Sequence, residues 1–519
     1  MTTPTTRPPA VPDPSSGVPP APPPPAAAAA QAPAPQAPAG PPAARPRRFT
    51  GAGLRTIPGQ IRGYTALVLL ALVLLLAVTM AAVGNARDGV QTIGHDAGPQ
   101  VVATGTLYFA LSDMDAQVAD VLLIGREHDL GIGRAESLRR YEQRRLEANE
   151  AAVQAAQIAG EDDARRRTVR EVLDGLGRYE RLVGEAILLD SQSNHPAGEL
   201  PQNVVDTYRR ATDLMKLELL PRAYNLTLDS GATVRQSYET DRDAVLSGRL
   251  WVGLAGVLLL GLLIAKQVYL ARRFRRLVNP ALALATVVSL VVVALTVGML
   301  TGQAGELKRA KEEGFDSILA LNRARAISHS AFADESRYLL DPGRADTYEQ
   351  TFLDKALSVL YVDPGTRPLN LETYYALLPG AVRSYGGTPS GPPVQVLGLF
   401  GEEKDKYLGM LEESRLRLTV QAYQRVMDND RRMRELAVQG DRRAAIRLRM
   451  GRQSGAISAF DTYDKQLTLL IEAHQDEFNR AVWAGDGGLV GWDVLPPAAA
   501  LVVAGLVLAG VRPRLAEFR

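Results

Sequence analysis

Residues 64–83 read YTALVLLALVLLLAVTMAAV, twenty consecutive positions without a charge or a proline. As an α-helix this run rises about 30 Å, the thickness of the hydrocarbon layer of a bilayer, and closes its backbone hydrogen bonds within itself, as lipid requires. Three further runs share this character. Residues 250–270 carry one charge, Lys266, whose stem is expected to snorkel toward an interface. Residues 280–300 are uncharged. Residues 489–511 contain Asp493, Pro496 and Pro497, so their first turns are expected at the interface and the span proper after them. The runs define an all-α membrane protein with four transmembrane helices. A cleaved leader is not expected, because some sixty residues precede the first run and it exceeds the roughly 7–15-residue apolar core of a signal peptide.

Flanking charges orient the spans, since Lys and Arg are retained on the cytoplasmic side. Residues 1–63 hold six Arg against one acid, residues 266–279 five bases and no acid, and residues 512–519 three bases and one acid. All three segments are expected inside, which puts the protein in the plasma membrane with both termini cytoplasmic. The remainder carries 45 bases and 55 acids, so a formal net charge of +2 hides a polarised chain. The basic inner segments read first as topology signals and second as a dock for lipid or kinase.

Composition narrows the chemistry. The 519 residues include no Cys, which removes disulfides, thiol nucleophiles and cysteine-held metals. Arg exceeds Lys by 51 to 8, a bias that fits a GC-rich genome better than nucleic-acid binding. Residues 1–49 are rich in Pro and Ala and unable to bury a core, so they are expected to form a disordered cytoplasmic spacer. Residues 271–279 form a short cytoplasmic bend, and 512–519 a cytoplasmic tail.

The segments 84–249 and 301–488 are each bracketed by two spans and are expected to be two tandem extracytoplasmic helical bundles. In the first, Val101, Thr104, Tyr108, Leu111, Asp115, Val118 and Leu122 follow steps of three and four, as do Val169, Val172, Leu176, Tyr179, Val183 and Ala186. Breaks at 125–133, 160–163 and 191–201 divide it into helices near 86–124, 134–159, 163–190 and 202–249, and an up-down four-helix bundle is the simplest packing. In the second, helices are expected over about 303–340, 396–438 and 441–484, with a loop at 380–393. The interval from Gly84 to Gly125 equals that from Gly302 to Gly343, and Val205-Asp206-Thr207-Tyr208 resembles Phe460-Asp461-Thr462-Tyr463. Both features point to an internal repeat.

No constellation carries catalysis. His95, His128, His195, His329 and His474 include no helical pair spaced for zinc, and His474, on the stripe Tyr463, Leu467, Leu470, His474, Phe478, reads as a core histidine. Glu127-His128-Asp129 reads as a surface turn. Glu402, Glu403, Lys404, Asp405 and Lys406 read as a solvated face. Phosphate-cradling glycine loops, nucleophile elbows and kinase signatures are absent from the sequence, so no enzyme, metal or cofactor is expected. A carboxylate ligand in a helical bundle would need a fork of donors. Arg323, Arg325 and Arg337 form one set and Arg139, Arg140, Arg144 and Arg145 a denser one, both read first as solvated faces. No ligand-binding residue is assigned.

The order span, outer helical bundle, span resembles the sensory half of bacterial chemoreceptors and sensor histidine kinases. Here ARRFRRLVNP at 271–280 leads back into the membrane, so their cytoplasmic output does not carry over. The doubled modules and Pro-rich tail are similar to the actinobacterial four-span membrane proteins that link an amino-acid-binding lipoprotein to serine/threonine protein kinase G. That resemblance covers about residues 60–511 and implies a binding lipoprotein outside and a protein kinase inside as partners. The expected function is a non-enzymatic transmembrane sensor or adaptor, capable of homo-oligomerising. A cell-envelope scaffold or transporter accessory subunit is the alternative.

Overall fold

A computed structural model describes residues 57–127, 130–159, 162–274, 279–363, 370–385, 395–404, 406 and 409–516. The Pro/Ala tail, residues 275–278 of the basic bend, His128, residues 386–393 of the expected loop and the last three residues lie outside this set. The described chain is helical almost throughout, as its Ala, Leu and Arg content favours.

The four apolar runs lie on helices long and apolar enough to cross a membrane. Helix α1 (Ile57–Val90) passes through a seven-residue π-helical stretch, Gln91–Ala97, into α2 (Gly98–Ile124). Arg134–Ile158 forms α3, and Asp163–Ser193 forms α4. Asp162 starts α4 by accepting from the amides of Ala164 and Arg165, which explains the break seen there in sequence. Helix α5 (Gln202–Leu214) runs through a π-helical turn, Met215–Leu219, into α6 (Leu220–Phe274). Helix α7 (Pro280–Lys308) continues through a second seven-residue π-helical stretch, Arg309–Phe315, into α8 (Asp316–Leu340). Beyond come α9 (Ala345–Val359), α10 (Leu371–Arg383), α11 (Leu399–Lys404), α12 (Met410–Val438), α13 (Arg442–Met450), α14 (Ala456–Leu489) and α15 (Leu495–Ala516). A short antiparallel ribbon, β1 (Tyr361–Val362) with β2 (Val396–Leu397), interrupts the region expected to be helical from 396. The loop expected from 380 begins later, because α10 continues to Arg383.

At the span end, α6 lies between α1 and α7, and α15 closes against α7 and α1. Asp493 sits in the turn between α14 and α15, where both its oxygens accept from Arg87, at 2.8 and 3.0 Å. Lys266 does not snorkel: it is buried, and its ammonium donates to Thr65 Oγ1 at 3.0 Å, a partner supplied by α1.

The segments expected to close separate cores contribute to one. Leu107, Leu111, Met114, Val118, Leu176, Tyr179 and Tyr208 from the first belong to the same buried cluster as Leu321, Phe332, Phe352, Tyr423, Tyr463 and Leu467 from the second. Its axis is α2, which packs against α3, α6 and α8. Every residue from Phe109 to Ile124 is buried, so α2 has no wet face there and its three-four stripe understates its burial. Helix α4 behaves as expected, with all six stripe residues buried.

Between body and spans, Phe478 of α14 packs where the two π-helical stretches come close. A Cβ on Gly314 would stand 2.7 Å from Phe478 Cβ and 2.9 Å from its Cα, and one on Gly98 would stand 2.9 Å from the Phe478 ring. Gly314→Ala is therefore expected to destabilise by about 1–3 kcal/mol through overpacking. Gly302→Ala, where a Cβ meets nothing within 4 Å, should be neutral or stabilising by roughly 0.5–1 kcal/mol. Thermal loss of helicity in detergent, followed by circular dichroism, checks both. Equal melting temperatures for the two variants would contradict the packing argument.

Candidate functional site

A cleft of about 410 Å³ opens where the two halves of the body meet. One wall is α3, presenting Glu136, Arg139, Arg140, Gln143 and Arg144, and the other is α14, presenting Ile457, Phe460, Asp461, Asp464 and Lys465. Asp113, Gln117 and Asp120 of α2 and His329 and Phe332 of α8 form the floor. The helical repeat explains the walls. Arg140 and Arg144 lie four residues apart, as do Ile457 and Asp461, and such positions share a helix face.

The floor is a chain of paired charges. His329 Nδ1 lies 3.0 Å from Asp113 Oδ1, and its Nε2 lies 2.9 Å from Asp464 Oδ1. Its ring is held edge-on between Phe109 and Phe460. Burial alone would lower the imidazole pKa, but the two aspartates outweigh it and the net shift is upward. An imidazolium donates from both nitrogens, so this geometry suits the charged form. Burial would raise Asp113 and Asp464, yet His329 and the guanidiniums of Arg144 and Arg325 hold both well below the usual carboxylate range. Arg144 Nε donates to Asp113 at 2.5 Å, and Arg325 grips Asp464 with two bonds of 2.6 and 2.7 Å.

Deeper charges also pair across the halves. Arg337, fully buried in α8, donates to Asp115 of α2, to Asp334 at 2.5 Å and to the Tyr208 hydroxyl at 3.1 Å. Asp334 also accepts from Lys216 at 2.6 Å and from Lys355. Asp120 accepts from Ser336 Oγ at 2.6 Å and from Arg449 at 3.0 Å, and the Arg449 guanidinium stacks on Phe332.

The structure sorts the residues singled out in sequence. Arg139, Arg140 and Arg144 reach the cleft, whereas Arg145 pairs with Glu142 at 2.8 Å outside its lining. Arg325 supports the floor, Arg337 is structural, and Arg323 lies over the Tyr224 ring. The reading of both arginine sets as solvated faces therefore fails where carboxylates from distant helices meet them. His474 is a core histidine as expected, its Nδ1 2.8 Å from the Glu313 carbonyl. Glu403 is a correction: it is buried with its carboxylate 3.2 Å from His474 and 2.9 Å from Lys406, so the charged run at 402–406 is not wholly solvated. Sequence reading missed Asp113, Gln117, Asp120 and Phe332 of the floor and Asp464 of the α14 wall, and took His329 only as lacking a zinc-spaced partner. Neither His329, between Ser328 and Ser330, nor Asp464, between Tyr463 and Lys465, carries a local signal of burial. No group of three or more His, Cys, Asp or Glu able to hold a metal occurs among the described residues.

Residues 89–239 match the family model of the actinobacterial sensor domain. The match takes in α2 to α5 and the start of α6, including the α3 wall and the aspartates of α2, and it fits a sensor protein from actinobacteria. No curated protein and no solved structure matches the chain. The sensor-domain match points to a sensory role and the four apolar helices to a membrane protein.

Two outcomes follow. Because the folded imidazole pKa is raised, the stabilisation from His329 is fully present below its unfolded value near 6.5 and is lost as pH rises through the folded value. The melting-temperature difference between wild type and His329→Gln should therefore be largest in mild acid and shrink toward alkaline pH; a constant difference would count against a buried imidazolium. Arg337→Met leaves Asp115 and Asp334 short of a buried partner and should destabilise by about 3–5 kcal/mol, read as a lowered denaturation midpoint.

Proposed function

We propose that this chain is a non-enzymatic transmembrane sensor or adaptor of the plasma membrane. A small solute or a solute-loaded binding protein engages the cleft on the extracytoplasmic side, and the change in helix packing is passed through the spans to a cytoplasmic partner. One observation carries the reading: the two floor helices, α2 and α8, and α6 packed against α2 run unbroken into the apolar spans. Gly59–Ile124 is a continuous helix of 66 residues, Gln202–Arg272 of 71 and Pro280–Leu340 of 61. At about 1.5 Å per residue the first is ~100 Å long, so a shift at its cleft end reaches the inner end with few joints to absorb it. A differential affinity worth about 1–3 kcal/mol between two packings is enough to bias such a system.

The basic segments flanking the apolar runs support cytoplasmic termini and an external body. The resemblance to the four-span actinobacterial proteins supports an amino-acid-binding lipoprotein outside and a serine/threonine kinase inside as partners. We also read the halves as products of duplication. The interval from Gln91 to Arg309 equals that from Ala97 to Phe315, and it also separates Gly84 from Gly302 and Gly125 from Gly343. The corresponding helices α2 and α8 pack on each other.

The Cys-free sequence makes a direct test possible. Arg140→Cys with Asp461→Cys, bridged by a bifunctional thiol reagent in the full-length protein in nanodiscs, fixes the two walls together. Hydrogen exchange at residues 57–63 and 264–274, the inner ends of α1 and α6, should then change relative to the unbridged variant. Unchanged exchange there would remove the coupling and favour the scaffold alternative.

A further inference from the structure

We infer that the cleft takes a small zwitterion, its carboxylate met by guanidiniums of α3 and its protonated amine by Asp461 of α14. This rests on the cleft being the sensory site and adds the class of molecule that fills it.

The walls differ in charge. The α3 wall carries Arg139, Arg140 and Arg144 with Glu136 as its only acid, while the α14 wall carries Asp461 and Asp464 with Lys465 as its only base. The deep charges are already committed by the short bonds of Arg144 to Asp113 and of Arg325 and His329 to Asp464. At the mouth the pairing is different. Arg140 and Asp461 face each other across the cleft with N–O separations of 3.4 and 3.5 Å, and their side chains are 33% and 53% exposed. Charge-assisted bonds of this type settle near 2.7–2.9 Å, so this bridge is stretched. A molecule carrying both charges replaces one long ion pair with two short ones, and each wall charge keeps a partner. A simple anion would satisfy Arg140 and leave Asp461 unpaired beside it, and a simple cation would satisfy Asp461 and leave Arg140 to Glu136 alone, 3.1 Å from its Nε. Such unpaired charges are how a site rejects the wrong ligand. The guanidinium fork suits a carboxylate, and Ile457, Phe332 and Phe460 give apolar surface to the rest of the molecule. Free α-amino acids and short peptides share this chemistry.

The test uses the full-length protein in nanodiscs and isothermal titration with two probe sets, the twenty standard L-amino acids and a panel of di- and tripeptides. Each binder is repeated as its N-acetyl and its C-terminal amide form. At least one zwitterion should bind, and each single-charge form should bind about tenfold more weakly or worse. Preference for the peptide set assigns the site to peptides, and preference for the first set to free amino acids; either supports the inference. Arg140→Gln should abolish discrimination against the amide, and Asp461→Asn discrimination against the acetylated form, while Arg140→Lys retains part of the affinity. Unchanged melting temperatures establish that the variants fold. The inference is overturned if blocked forms bind as well as their parents, if a dicarboxylate or a polyamine binds in their place, or if no zwitterion binds. Should bridging the cleft still alter the inner ends of the spans in those cases, the sensor reading survives and only the ligand class fails.

Discussion

Three aspartates on one buried helix set the terms for the rest of the molecule. Asp113, Asp115 and Asp120 lie in the stretch of α2 that has no exposed residue, and isolated carboxylates are not tolerated in such surroundings. Their cationic partners include His329, Arg337 and Arg449, all from the second half of the chain. Around them the halves are tied again by Lys216 to Asp334, Arg209 to Asp341 and Arg344 to Asp213. Ion pairs of this kind are modest sources of stability but costly to break, because what remains is a charge without water or partner. The halves therefore depend on each other for charge balance as well as for apolar burial, and the shared core follows from that.

The same dependence decides what could be read in advance. Span positions and most helix limits in the first segment are local properties: twenty uncharged residues, or Asp162 followed by a helical stripe, carry their meaning within a few turns. The stripe of α4 was legible because α4 has a wet side. That of α2 was legible too, with Asp115 on it, but a helix enclosed by α3, α6 and α8 shows no polar face, so the stripe gave no sign that Asp113 and Asp120 beside it are buried as well. Glu403 misled for the same reason, sitting in a mixed-charge run while its side chain reaches His474. The cleft was half legible. The arginines of α3 stood out as a cluster, but Asp461 is separated from Arg140 by 321 positions, and nothing in a local pattern joins them.

Continuity from body to spans comes with two defects placed alike. Each lead helix, α1 to α2 and α7 to α8, changes to π-helical winding for seven residues after leaving its apolar run. Such stretches hold backbone hydrogen bonds in a looser register and often mark places where a helix adjusts. Both lie against α14, through Phe478 at Gly98 and Gly314 and through Val482 at Gly94. Helix α14 also carries Asp461 and Asp464 on the cleft wall. One helix thus touches the cleft and both adjustable stretches, so a displacement of α14 needs no longer chain of contacts to reach the first and third spans.

The charge of the body bears on what enters the cleft less than its total suggests. Apart from its basic cytoplasmic-type segments the chain has ten more acids than bases, a field that disfavours anions at long range. At physiological ionic strength that field decays over about 8 Å, so selection at the cleft falls to the groups lining it. There, the family match supplies the arginines of α3, while the aspartates of α14 lie outside the matched residues. The second half thus contributes the opposing charge to the same site. In the proposed site, discrimination between ligands would depend on how far apart the two walls are held, above the buried pairs of α2 and α8.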